Sequence, residues 1–122
     1  MSQPLLSASR ILEAEDLAEH IEEVPEWPNE DGSPGHLRLV QMTAAENIEL
    51  TNLVGESKET IIDGMFLILV YCAKDEEGKR LFTKEDVVKL REKNFHVINR
   101  LQQLCLKLNN TGAKEEADTK NA

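Results

Sequence analysis

The side chains that could do chemistry are few and scattered. Three histidines (His20, His36, His96) and two cysteines (Cys72, Cys105) are the candidate soft ligands, and no two of them stand at the close spacing that a zinc site needs. Both cysteines sit inside apolar helical pattern. They read as small buried thiols of a reducing compartment, with no secretory context to favour a disulfide. The 75–86 segment joins two apolar stretches through acids and a glycine, as an EF-hand does. Setting Gly78 at the sixth position of a calcium loop puts Ala73 first and Lys84 twelfth. Alanine has no side-chain oxygen and lysine cannot act as the bidentate acid, so the segment reads as a solvated turn. The sequence carries no nucleophile elbow, phosphate loop or metal-binding His pair. Carboxylate pairs such as Glu22-Glu23 are too common in an acidic chain to mark a general acid and base. The expectation is a protein that is not an enzyme, with no catalytic residue, metal or cofactor.

Charge points the same way. The chain has 122 residues and a net charge of −9, with 40% apolar, 30% charged and only 4% aromatic residues, the composition of a globular domain with an aliphatic core. Residues 1–31 hold nine acids and one base, whereas 32–122 hold fourteen acids and thirteen bases. Nucleic acid is excluded as a partner, because binding it takes lysines and arginines that displace condensed counterions. An acidic end suits solubility or attraction to a basic partner. Residues 1–6 show neither the basic start nor the apolar run of a secretory signal. The apolar run 61–73 is 13 residues long, short of the roughly 20 needed to span a bilayer, so it reads as a buried helix and not a membrane segment.

The elements around that helix follow from local signals. Ser7 or Ser9 can cap a short helix over Arg10 to Glu19, with acids early in it. His20 to Val24 and His36 to Met42 form two extended runs around the turn-rich loop 28–35, a hairpin whose first strand is an edge because Pro25 adjoins it and whose anchor is Trp27. Thr43 and Glu46 make a capping box that opens a helix to about Val54, with Leu50, Leu53 and Val54 inward and Gly55 as its stop. Ser57 is placed to cap the next helix, 58–73. Gly78 supplies the turn, Leu81 and Phe82 are expected in the core, and Thr83 with Asp86 starts a further helix. In the last helix Val97, Leu101, Leu104 and Leu108 make one stripe, widened by Ile98 and Cys105. Asn99, Arg100, Gln102, Gln103 and Lys107 face water, and Leu106 lies off the stripe. The fold class is α+β: one mainly helical domain over 1–110, four to five helices with a small N-terminal β-hairpin (19–42, then a helical body 43–109). The 111–122 tail has almost nothing to bury and is expected to be disordered.

This order of features resembles the tail assembly chaperones of long-tailed, siphovirus-type bacteriophages and prophages. The resemblance runs over about residues 20–110. It is carried by Glu23-Val24-Pro25-Glu26-Trp27, by Leu37-Arg38-Leu39 leading to Thr43-Ala44-Ala45-Glu46, and by Tyr71-Cys72-Ala73. The most specific part is the 75–87 passage, from Asp75-Glu76-Glu77-Gly78 through Leu81-Phe82-Thr83 to Glu85-Asp86-Val87, and Leu104 to Asn109 completes it. The loop 28–35 departs from the family pattern in being longer and richer in proline and glycine.

The resemblance implies a non-enzymatic protein of the infected host's cytoplasm, absent from the finished virion. It would bind the tape measure protein, keep it soluble and help recruit tail tube protein. A homo-oligomer and a frameshifted longer form of the chain are further implied partners. A chaperone for a long helical client needs apolar area on a soluble body, and Leu106 with part of the 83–108 helical surface is the candidate client or self-association face. Two alternatives stand beside it: an acidic inhibitor or DNA mimic acting through residues 13–31, and a minor structural tail or connector protein.

Overall fold

The computed structural model describes residues 4–54 and 58–110. The described residues form five helices and a three-stranded antiparallel sheet: α1 (Ala8–Glu13), β1 (Glu19–Val24), β2 (Gly35–Val40), α2 (Ala44–Val54), α3 (Lys58–Cys72), β3 (Ala73–Lys74), α4 (Val87–Leu90) and α5 (Phe95–Asn109), with a 3-10 turn at Lys84–Asp86 leading into α4. The strand order is β1-β2-β3. The α+β class and the mainly helical body are as expected, and the hairpin is the larger part of a sheet that gains a third strand. β3 is where α3 ends one residue early: Ala73 and Lys74 leave the helix and pair with Leu39 and Arg38. An unpaired β2 edge beside a buried helix end would leave backbone groups unsatisfied, and the short strand satisfies them.

The register explains which face is covered. Val24, Glu22 and His20 stand opposite Gly35, Leu37 and Leu39 on one face of the sheet. On that face Val24, Leu37 and Leu39 are buried, while Ile21 on the other face is 51% exposed. Helices α3 and α5 pack across the covered face. From Leu67 to Ala73 every residue is buried, with none above 8% exposed. Trp27 is half-buried against this core, as an anchor should be.

Caps place the helices. Thr43 and Glu46 exchange backbone and side-chain bonds (Thr43 N–H to Glu46 Oε1, 3.0 Å; Glu46 N–H to Thr43 Oγ1, 3.1 Å), and Asp86 accepts from Thr83 N–H at 2.8 Å. Asn94 caps α5, its Oδ1 accepting from His96 and Val97. Ser7 caps α1, which stops at Glu13 and buries nothing; six residues without packing are too few to propagate further. Gly55, Ser57, the side chain of Val54 and the 111–122 tail lie outside the described residues.

Three expectations need correction. Phe82 packs on the core but Leu81 is 47% exposed, because Leu81 N–H bonds to Ala73 O in extended chain, where successive side chains alternate. Gln102 is buried, since α5 is covered by α3 and by the sheet together, and two covers bury a wider face than one stripe. Arg100 does not simply face water: it is half-buried and clamps the sheet, as described below.

Gly35 is the tightest point of the hairpin. A Cβ there would run into the carbonyl oxygen of Trp27, a backbone atom that cannot swing aside. Gly35→Ala is expected to destabilise the fold by about 1–3 kcal/mol, whereas Ala at Gly32, which meets open space at φ +86, costs only about 1 kcal/mol of left-handed strain. Urea midpoints of the two variants check the order; equal midpoints would show that the close approach at Gly35 is unimportant.

Candidate functional site

The residues singled out for chemistry are dispersed or turned inward. Cys72 and Cys105 are free thiols with no exposed surface. Asn109 ties them to the rest: its Nδ2 donates to Cys72 Sγ (3.3 Å) and to Cys105 O (2.7 Å), and its Oδ1 accepts from Met42 N–H (2.7 Å). The hydrogen bond between the two thiols lowers the Cys72 pKa against its burial and, together with burial, pushes Cys105 up. His20 pairs with Glu22 at 2.9 Å, His36 is exposed on β2, and His96 meets Phe95 edge-on. Among the described residues no three His, Cys, Asp or Glu side chains come together as a metal site, and no helix is long and apolar enough to cross a membrane. The 75–81 turn is closed by its own backbone. Asp75 Oδ1 accepts from Glu77 and Lys79 N–H, both at 2.9 Å, and Gly78 takes φ +84.

Three polar hubs, invisible to motif reading, fix how the elements sit. Glu46, which caps α2, also receives Arg80 (Nη2, 2.7 Å) and Lys74 (3.5 Å), and Arg80 lies 4.4 Å over the Tyr71 ring. Burial raises the Glu46 pKa, but the Thr43 N–H, Arg80 and Lys74 outweigh it, so the carboxylate stays below its ordinary value. Gln41 accepts from Ala18 N–H (2.7 Å) and donates to Leu108 O (2.8 Å), joining the entry to β1 with the end of α5. Arg100 grips Glu26 with two nitrogens (2.8 and 3.1 Å) and stands 3.5 Å from Glu22. The Arg100 hydrogen bond holds Glu26 down at about 2. The capping-box spacing could have pointed to Glu46. Nothing local marks Gln41, Asn109 or Arg100, each of which reaches a partner 67 or 74 residues away.

What remains for function is surface. The two edges of α5 stay partly open: Leu104 and Leu108 on one side, Leu106 on the other, all half-buried against the core. A groove of about 160 Å³ is lined by His20, Leu104, Lys107 and Leu108. A second, of about 360 Å³, runs past Leu17, Met42, Thr43 and Asn109. Leu106 lines neither. Such an arrangement can hold an apolar helix edge or an extended segment.

The fold as a whole matches a solved one. Over 85% of this chain and 94% of the other, it superposes on the tail assembly chaperone of bacteriophage HK97 with a TM-score of 0.59 and 18% sequence identity. At that identity the likeness is one of fold, and the fold is that of a phage tail assembly chaperone. No protein-family model and no curated protein matches the chain.

The hubs make two measurable statements. The Tyr71 hydroxyl is buried without a hydrogen bond among the described residues, so Tyr71→Phe should leave stability unchanged or raise it, while Glu46→Ala should cost about 1–3 kcal/mol; chemical denaturation compares them. Glu26 and Glu46 both titrate lower in the fold than in the unfolded chain. Their stabilisation is complete above the ordinary carboxylate value of 4.5 and is lost as pH falls through the folded values, which for Glu26 is about 2. Urea midpoints should therefore drop between pH 5 and pH 2, and Arg100→Met should flatten that drop; an unchanged slope would show that the clamp contributes nothing.

Proposed function

We propose that this chain acts as a tail assembly chaperone of a long-tailed phage or prophage. It binds the tape measure protein in the host cytoplasm, keeps it soluble, helps bring tail tube protein to it and does not remain in the virion. The observation that carries the reading is the fold shared with the HK97 tail assembly chaperone along nearly the whole of both chains. The character of the surface supports it: apolar edges on α5 and two shallow grooves, beside buried thiols and dispersed histidines.

A tape measure protein is a long helical client, and an amphipathic helix offers apolar anchors three and four residues apart. The edges of α5 carry the same spacing from Leu104 to Leu108, with Leu106 on the opposite edge. Leu106 and the neighbouring α5 surface are assigned to the client or to a self-association face. The reading as an acidic mimic receives less support. Within residues 13–31, Glu19 is engaged by Arg38 and Glu22 and Glu26 by Arg100, which removes them from any duplex-like array.

Co-expression with the tape measure protein of the same phage tests the proposal. The client should be soluble with the chaperone present and aggregate without it. Leu106→Glu, shown folded by circular dichroism, should weaken capture about tenfold, equivalent to about 1.4 kcal/mol. Capture and oligomer size identical to wild type would remove Leu106 from the interface. Mass spectrometry of purified particles should find the protein absent; stoichiometric retention would favour a connector instead.

A further inference from the structure

The sheet ends at β1, and no further strand lies beyond it among the described residues. The register fixes which backbone groups this leaves open. Gln41 N–H bonds to Ala18 O at 3.0 Å, so by the alternation of an antiparallel pair the residues turned toward β2 are Ala18, His20, Glu22 and Val24. Glu19, Ile21 and Glu23 therefore aim their N–H and C=O groups away from the sheet, at the free edge. Their side chains share the uncovered face, where Ile21 is 51% exposed and Glu19 is held by Arg38. Glu23 is exposed and makes no ion pair among the described residues. The opposite face of the same edge is roofed by α5. Arg100 reaches Glu22 and Glu26 near one end of β1, and Gln41 ties Ala18 to Leu108 O near the other, so α5 runs alongside the strand. At this flank opens the groove of about 160 Å³ lined by His20, Leu104, Lys107 and Leu108. An unpaired strand edge and an apolar slot thus lie side by side.

We propose that this edge takes an extended segment of another protein as a further strand, one in which apolar side chains alternate with basic ones. The alternation follows from the pleat. Side chains of the added strand that face α5 enter the groove over Leu104 and Leu108, which has room for one apolar side chain; Lys107 at its rim disfavours a base there. Side chains on the other face lie beside Glu19, Ile21 and Glu23, where a lysine or arginine meets Glu23 and lays its aliphatic stem on Ile21. Glu13, Glu15 and Asp16 stand exposed on the chain leading into β1 and extend the attraction. The same kind of charge excludes a second β1 as the occupant. Paired in either direction, two such edges would set the Glu19 and Glu23 of one copy against those of the other, a like-charge contact by which edge strands avoid one another. Backbone pairing supplies the affinity, and the two rows of side chains supply the choice of partner. So short a strand covers less than the roughly 1,200 Å² of a standard interface, so binding is weak and falls with salt. The site is on the other edge of α5 from Leu106 and stands whether or not Leu106 holds a client.

Amide NMR spectra of the full chain, titrated with a short synthetic peptide of alternating lysine and valine, test it with no client present. The amides of Ile21 and Glu23 should shift and gain protection from hydrogen exchange on binding. Glu23→Lys and Leu104→Glu, each confirmed folded by circular dichroism, should each weaken binding about tenfold. Glu23→Lys changes an exposed position and decides the matter if Leu104→Glu does not fold. A peptide with glutamate in place of lysine should not bind, nor should the lysine–valine peptide methylated on its backbone nitrogens. The proposal is overturned by a lysine–valine peptide that leaves the Ile21 and Glu23 amides unshifted, by a methylated peptide that binds as well as its parent, or by binding indifferent to the substitutions. Protection of those amides in the free protein overturns it too. If that protection is independent of concentration, the chain's own residues fill the edge; if it rises with concentration, a second copy does.

Discussion

A helix with apolar residues on every side can exist in water only if something covers every side, and the C-terminal half of α3 sets that condition for the rest of the chain. Tyr71, Cys72 and Ala73 have no exposed surface, and Leu69 and Val70 none either. A single sheet or a single helix covers one face. The sheet therefore lies on one side, α5 beside it, and α2 and α4 close the remaining sides. Burying a leucine, isoleucine or valine contributes about 1.5–3 kcal/mol, so leaving any side of α3 bare would forfeit much of the stability of a small domain. The passage of α3 directly into β3 follows from the same demand, since the buried helix end has to find backbone partners and β2 supplies them.

Apolar cover alone would allow these elements to slide. The polar hubs remove that freedom, each joining segments far apart in sequence. Glu46 fixes the 74–80 connector to the start of α2, and its lowered pKa records how fully the partners offset its burial. Asn109 and Gln41 pin the end of α5 to the β2–α2 junction, with Asn109 also reaching both thiols. Arg100 holds the middle of α5 to the β1 edge. The inward-facing polar residues of β1, His20 and Glu22, sit at the rim of the sheet, where this clamp and their own contact can satisfy them. Charge that might have suggested catalysis is thereby spent on architecture.

The elements themselves were largely legible. Thr43 with Glu46 and Thr83 with Asp86 announced two helix starts, Gly78 its turn, Pro25 its edge strand, and the α5 stripe its buried face. Where the reading failed, a second cover or a distant partner had intervened. Gln102 lies just outside the stripe and is buried only because α5 is packed from two directions. Arg100 looks like any exposed arginine until Glu22 and Glu26 are brought beside it. β3 is two residues long, with no alternation to detect, and exists because β2 offers an edge.

The amino-acid order determined by itself what is local: where helices begin, where the chain turns, and which runs are too apolar to face water. These depend on neighbours within a few residues, so a linear reading reaches them. Tertiary structure decided which polar side chains became hubs, which large apolar residues stayed outside, and that α3 ends in a strand. Each of those rests on contacts across tens of residues, and the energy of such a contact is a property of the pair once assembled, not of either residue alone.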